Sequence, residues 1–111
     1  LEIDMTKLNL EAITAEAFNA AFEAETKFRE QYGEPWYCGF AWVNITPGNS
    51  PMANYLKKIG EARKSYDKGV DVWNPGKSYT QSMDIKEAGA SAFAEVMRKY
   101  GIKAQARSRA D

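Results

Sequence analysis

The run Trp36-Tyr37-Cys38-Gly39-Phe40-Ala41-Trp42-Val43-Asn44-Ile45 constrains this chain more than any other segment. It is rich in aromatic and β-branched residues, begins behind Pro35 and ends on the turn formers Thr46-Pro47-Gly48-Asn49. Such a segment suits a pleated, half-buried strand. Side chains alternate along a strand, so Tyr37, Gly39, Ala41, Val43 and Ile45 share one face while Trp36, Cys38, Phe40, Trp42 and Asn44 share the other. The first set is small and aliphatic and fits beneath helices. The second carries three large aromatics and needs either a cover or a use.

The flanks supply the helices. Residues 10–32 contain no Gly or Pro and are dominated by Ala, Glu and Phe, which predicts a long helix. At 100° per residue Ile13, Ala17, Ala20, Ala21, Ala24, Phe28 and Tyr32 fall on one side and Glu16, Asn19, Glu23, Lys27 and Glu30 on the other, with Gly33 as cap and Pro35 as stop. Ser50-Pro51 reads as an N-cap with proline at the first helical position, opening a helix that buries Met52, Tyr55, Leu56 and Ile59 and ends between residues 60 and 66. Val70, Val72 and Trp73 predict a short strand, Asn74-Pro75-Gly76 a turn, and residues 78–82 a returning strand. Asp84 with Glu87 matches a capping box ahead of a helix that carries Ile85, Ala88, Ala92, Phe93, Val96 and Tyr100. Residues 102–108 then alternate as a last strand.

After the first helix the expected order is strand, helix, strand, strand, helix, strand. This predicts an α+β chain of ferredoxin-like βαββαβ type, an antiparallel sheet with two helices on one face and an additional N-terminal helix. The length of 111 residues fits a single domain, 1–111, made of an acidic helical segment over 1–34 and the α+β core over 35–111. The formal net charge of zero is unevenly spread. Residues 1–34 are rich in acids, Glu2 and Asp4 among them, whereas the remainder carries most of the bases.

Composition removes several chemistries. With no histidine and the single cysteine Cys38, zinc fingers, zinc hydrolases, Ser-His-Asp and Cys-His catalysis and an internal disulfide are excluded. Cys38, inside an aromatic strand, is expected to be a buried and inert thiol. The longest apolar run, residues 40–43, is too short to span a bilayer, and no basic-then-apolar leader follows Leu1, so the expected compartment is the cytoplasm. Gly76-Lys77-Ser78 imitates a phosphate loop but lacks its leading glycine and spacing. No constellation selects a general acid or base, so a catalytic residue, a cofactor and a metal are not expected.

In a ferredoxin-like sheet the first and last strands are neighbours. Trp36, Phe40 and Trp42 would then lie beside Lys103, Gln105 and Arg107, a stacking platform with basic flanks that suits single-stranded nucleic acid. The RNA-recognition-motif family uses this face of this fold. The stretch from Phe40 to Ile45 shares the Asn-aliphatic ending of that family's first-strand motif, but Ala41 stands where the stacking aromatic belongs and the third-strand Gly-Phe-aromatic motif is absent. The chain is not placed in that family. The alternative use of the aromatics is structural, with the N-terminal helix lying over them and its acids meeting the basic edge.

Two polar clusters complete the candidates. Asn44, Thr46, Asn49 and Ser50 precede a helix near Asn74 and Lys77, while Gln81 and Ser82 precede another near Arg109. Each could hold an anion or small molecule, or simply cap a helix.

The stretches Trp73-Asn74-Pro75-Gly76, Thr80-Gln81-Ser82-Met83-Asp84, Lys86-Glu87-Ala88-Gly89-Ala90 and Ser108-Arg109-Ala110-Asp111 resemble small proteins encoded by tailed bacteriophages and prophages. The resemblance covers roughly the last forty residues and implies an accessory protein that binds a host or phage component, without an active site to carry over. The leading functional expectation is therefore a non-enzymatic binding module acting on a protein partner or by self-association. Single-stranded nucleic-acid binding on the sheet face and phosphate or small-molecule binding at the loops stand as the alternatives.

Overall fold

The computed structural model describes residues 6–111, and of residues 7 and 8 the backbone alone. Glu2 and Asp4 of the acidic segment lie outside the described residues. In chain order the elements are α1 (Lys7–Tyr32), β1 (Gly39–Thr46), α2 (Pro51–Lys58), β2 (Arg63–Lys64), β3 (Val70–Trp73), α3 (Met83–Lys99) and β4 (Lys103–Ala110). Among the described residues the architecture is α+β, with three helices and a four-stranded antiparallel sheet in the order β2-β3-β1-β4.

Local chemistry sets the helix ends. The Gly33 N–H donates to the Arg29 carbonyl at φ 76°, a left-handed conformation that glycine adopts without a Cβ penalty. Ser50 accepts from the Ala53 N–H and Pro51 occupies the first turn of α2, as the sequence predicts. For α3 the cap is Ser82, accepting from the Ile85 N–H, two residues earlier than the predicted Asp84.

Strand 70–73 falls where the sequence predicts it and the last strand, expected over 102–108, spans 103–110, but the returning strand predicted over 78–82 is not there. The edge of β1 that a returning strand would take is occupied by β3, and the other by β4. Residues 78–82 run as an irregular segment touching the sheet through a single bridge between Cys38 and Ser82. The hairpin partner of β3 is the two-residue β2, reached through a turn in which the Ser65 N–H donates to the Gly69 carbonyl, with Gly69 at φ 75°. Helix α2 also stops at Lys58, earlier than expected.

One hydrophobic cluster joins all three helices to one sheet face. Val43 and Ile45 of β1, Val70 and Val72 of β3, Leu56 of α2, Phe93 of α3 and Ile13, Ala17 and Ala21 of α1 belong to it. Fully burying one of the larger side chains is worth roughly 1.5–3 kcal/mol, so this face supplies the main driving force for folding. The small residues of α1 allow it to lie against α3, where the Phe18 ring meets Phe93 edge-on at 4.9 Å. The Thr14 hydroxyl reaches Met52 of α2, and Glu16 accepts from both Lys99 of α3 and Tyr100, the residue that caps it.

That docking disfavours the alternative in which α1 lies over the aromatic side of β1. Its apolar stripe joins the cluster on the helix side, and its Glu16 meets Lys99 rather than a basic sheet edge. Among the described residues, no helix is long and apolar enough to cross a membrane.

Candidate nucleic-acid interface

The register of β1 builds the opposite face row by row. Phe40 pairs with Arg109, Trp42 lies between Arg107 of β4 and Trp73 of β3, and Asn44 lies between Gln105 and Asp71. Thr46 pairs with Lys103, and Arg63 of β2 lies opposite Asp71. Directly opposed residues point to the same side, so among the paired strand residues this face carries Lys103, Arg107, Arg109 and Arg63 together with the carboxylate Asp71.

Three aromatics form its centre. Trp42 and Trp73 stack with ring centroids 4.5 Å apart and planes 27° from parallel, and Phe40 meets Trp73 edge-on at 6.5 Å. Trp73 is 43 % exposed and Phe40 36 %, so ring surface is open to solvent although the rings support one another. Two cations approach the Phe40 ring, the Arg109 guanidinium at 5.6 Å and the Lys86 ammonium at 5.3 Å. Lys86 is anchored there by donating to the Gly39 carbonyl at 3.0 Å.

Below the aromatics the face turns polar and closed. Asn44 is buried, and its amide donates to the Lys68 carbonyl at 2.7 Å and to the Asp71 carboxylate at 2.9 Å. Those bonds tie the β2–β3 turn to the middle strand and satisfy a polar pair that would be costly unpaired. Beside them opens a groove of about 550 Å³ where Lys68, Arg98, Lys103 and Arg107 face a single acid, Asp67. Thr46 and Gln105 also line it, and Arg107 donates to Gln105 across 3.3 Å.

Of the residues singled out from sequence, Phe40, Trp42, Lys103, Gln105, Arg107 and Arg109 come together on this face. Trp36 does not. It stands 95 % exposed in the irregular segment before β1, beside a shallow groove shared with Pro35, Gln81 and Ser82. Cys38 is exposed as well, correcting the expectation of a buried thiol, because regular pairing begins only at Gly39.

The polar clusters separate. Ser50 and Ser82 use their hydroxyls as helix caps, and Asn49 is an exposed turn residue. Asn74 and Lys77 are at the other end of β1 from Thr46, since β3 runs antiparallel: the Asn74 N–H donates to the Ala41 carbonyl, and Lys77 pairs with Glu61. Among the described residues no three His, Cys, Asp or Glu side chains converge to hold a metal ion.

Sequence reasoning missed Trp73 and Lys86. Alternation in Val70-Asp71-Val72-Trp73 already puts Trp73 opposite the two valines, so the signal was present once β3 is placed next to β1. Lys86 reaches the platform from α3, and nothing in the chain's local pattern announces that. Compared with known proteins, the chain matches no family model, no curated protein and no solved structure.

Proposed function

We propose that this chain is a ferredoxin-like domain with an added N-terminal helix, and that its open sheet face binds single-stranded nucleic acid. The βαββαβ order behind α1 and the strand order β4-β1-β3-β2 support the first half of that reading. The second rests on one observation: Phe40 and Trp73 keep ring surface open to solvent around a half-buried Trp42, alongside a strand that presents Lys103, Arg107 and Arg109 on the same side. Bases stack on exposed rings regardless of sequence, and a basic strand offers contacts to the phosphates. A duplex keeps its bases stacked on one another, so single strands are the form this surface suits.

A protein partner is the second reading, favoured by aromatics exposed away from the platform. Trp36, Tyr66 and Tyr79 are almost wholly in solvent, and large exposed apolar groups mark contact surfaces. The phage-accessory resemblance of the C-terminal stretch is compatible with either partner. Small-molecule binding at the polar loops has less support, because the two serines that would cradle an anion are engaged as caps.

The test is tryptophan emission titrated with a single-stranded oligonucleotide at low and high salt. Binding is expected to perturb the emission, and log affinity should fall against log salt by about 0.7 for each phosphate neutralised. Absent binding, or binding indifferent to salt, overturns the reading.

A further inference from the structure

Glu25 is the most unusual residue of the helix layer. It is 2 % exposed, on the face of α1 turned toward α3 and the 74–78 turn, and neither carboxyl oxygen has a hydrogen-bond partner. Its space is supplied by two glycines, since an added Cβ at Gly76 or at Gly89 would run into the Glu25 carboxyl. The other buried side-chain atoms without a partner, among the described residues, are Asn74 Oδ1 and Ser78 Oγ, both in the turn that Glu25 faces. That turn is held tightly, with Asn74 at φ 47°, Lys77 at φ 61° and the Asn74 amide donating to the Ser78 carbonyl.

A donor count decides which form of the carboxyl fits. An ionised Glu25 finds only one donor among these orphan atoms, the Ser78 hydroxyl, and leaves the Asn74 oxygen unpaired. A protonated Glu25 adds a second donor to a pocket whose orphan oxygens, on Ser78 and Asn74, are acceptors, while still accepting from Ser78. Burial acts in the same direction and raises the carboxyl above its ordinary range. Ser78, Arg29 one turn along α1, and Lys86 of α3 pull against it.

We propose that Glu25 is a proton-operated latch, whose neutral carboxyl clasps the C-terminal half of α1 to the 74–78 turn and to α3, and whose ionisation loosens that contact. The latch lies on the helix side of the sheet, between α1, α3 and the turn that follows β3. It does not depend on what the aromatic face binds, and its test contains no nucleic acid.

The whole chain, labelled with carbon-13 at the glutamate carboxyls, is titrated by NMR. Glu25 is expected to keep the shift of a neutral acid where the other glutamates have ionised; titration together with them overturns the proposal. This arm needs no variant, so it stands even if Glu25→Gln does not fold. In the second arm, amide exchange of residues 22–32 and 74–78 is followed against pH and corrected for intrinsic rates. Protection should fall by up to about tenfold per pH unit as Glu25 ionises and should stay flat in Glu25→Gln. Identical pH dependence in the two proteins, or none in the wild type, overturns it.

Discussion

Along β1, neighbouring residues belong to two different surfaces. Ala41, Val43 and Ile45 are essentially without solvent contact and belong to the cluster that takes in residues of all three helices. Phe40 and Trp42, one position away, rest on Trp73 and on basic residues and keep part of their rings in water. The covered face is small and aliphatic, so helices can approach and little conformational freedom is lost. The open face is aromatic and cationic, and it is braced by its own ring contacts and by the buried Asn44–Asp71 pair rather than by a covering layer. Stability and recognition can therefore be separated within a single strand by residue parity.

The largest expected effect breaks the covered face alone. Ile45→Ala removes a fully buried side chain and leaves a cavity between β3 and the helices, at a cost of about 2–5 kcal/mol. Urea unfolding should show a lowered midpoint with an unchanged slope, while the oligonucleotide affinity of the folded molecules stays the same. A parallel loss of affinity would erase the distinction between the two faces.

Trp73→Ala is the reciprocal change. Losing one stacking surface weakens binding by roughly 1–3 kcal/mol, about five- to 150-fold. Its stability cost should be smaller than that of Ile45→Ala, because the ring is 43 % exposed. Trp36→Ala serves as the control, since that side chain is off the platform and its removal should leave affinity unchanged. If Trp36 proves the more important of the two, the contact surface is the segment before β1 and the sheet face is a bystander.

Much of this parity was legible in the sequence. The alternation read over residues 36–45 and from 102 onward assigns both faces correctly from Gly39, where regular pairing starts, because each strand's pattern has a period of two, and fails for Trp36, which precedes the strand. Asn44 departs from that pattern, being buried on the open side, and only the pairing with Asp71 and the Lys68 carbonyl accounts for that. The two-residue β2 is too short for any periodic signal, and the β-compatible residues 78–82 offer a stronger local strand pattern than residues 63–64 do. The position of α1 was also hidden. Its Ala-rich stripe is equally suited to a sheet or a helix, and the choice of α3 depends on small residues and on Phe93 meeting Phe18, far apart in sequence. Glu25 lies on that buried stripe, where hydrophobic periodicity sees merely a charged residue out of place.

The smallest effect concerns how firmly α1 is held at its solvent edge. Glu16 is partly exposed, and its carboxyl lies below its ordinary value of 4.5, chiefly because Lys99 donates to it and secondarily because Tyr100 does. A carboxyl depressed by folding contributes stability that is present above its unfolded value and is lost as pH falls through the lower folded value. Glu25 has the opposite sign: raised by burial, it contributes fully below 4.5 and loses that contribution as pH rises through its folded value. Glu16→Gln should therefore flatten the acid limb of the stability profile by a small amount, as solvent screening requires of an exposed pair, and leave the upper limb untouched. Both limbs belong to the docking of α1 on the covered side. Oligonucleotide binding measured over the acid range in Glu16→Gln and wild type should then be the same wherever both are folded; a difference would mean that the two faces are coupled through the sheet.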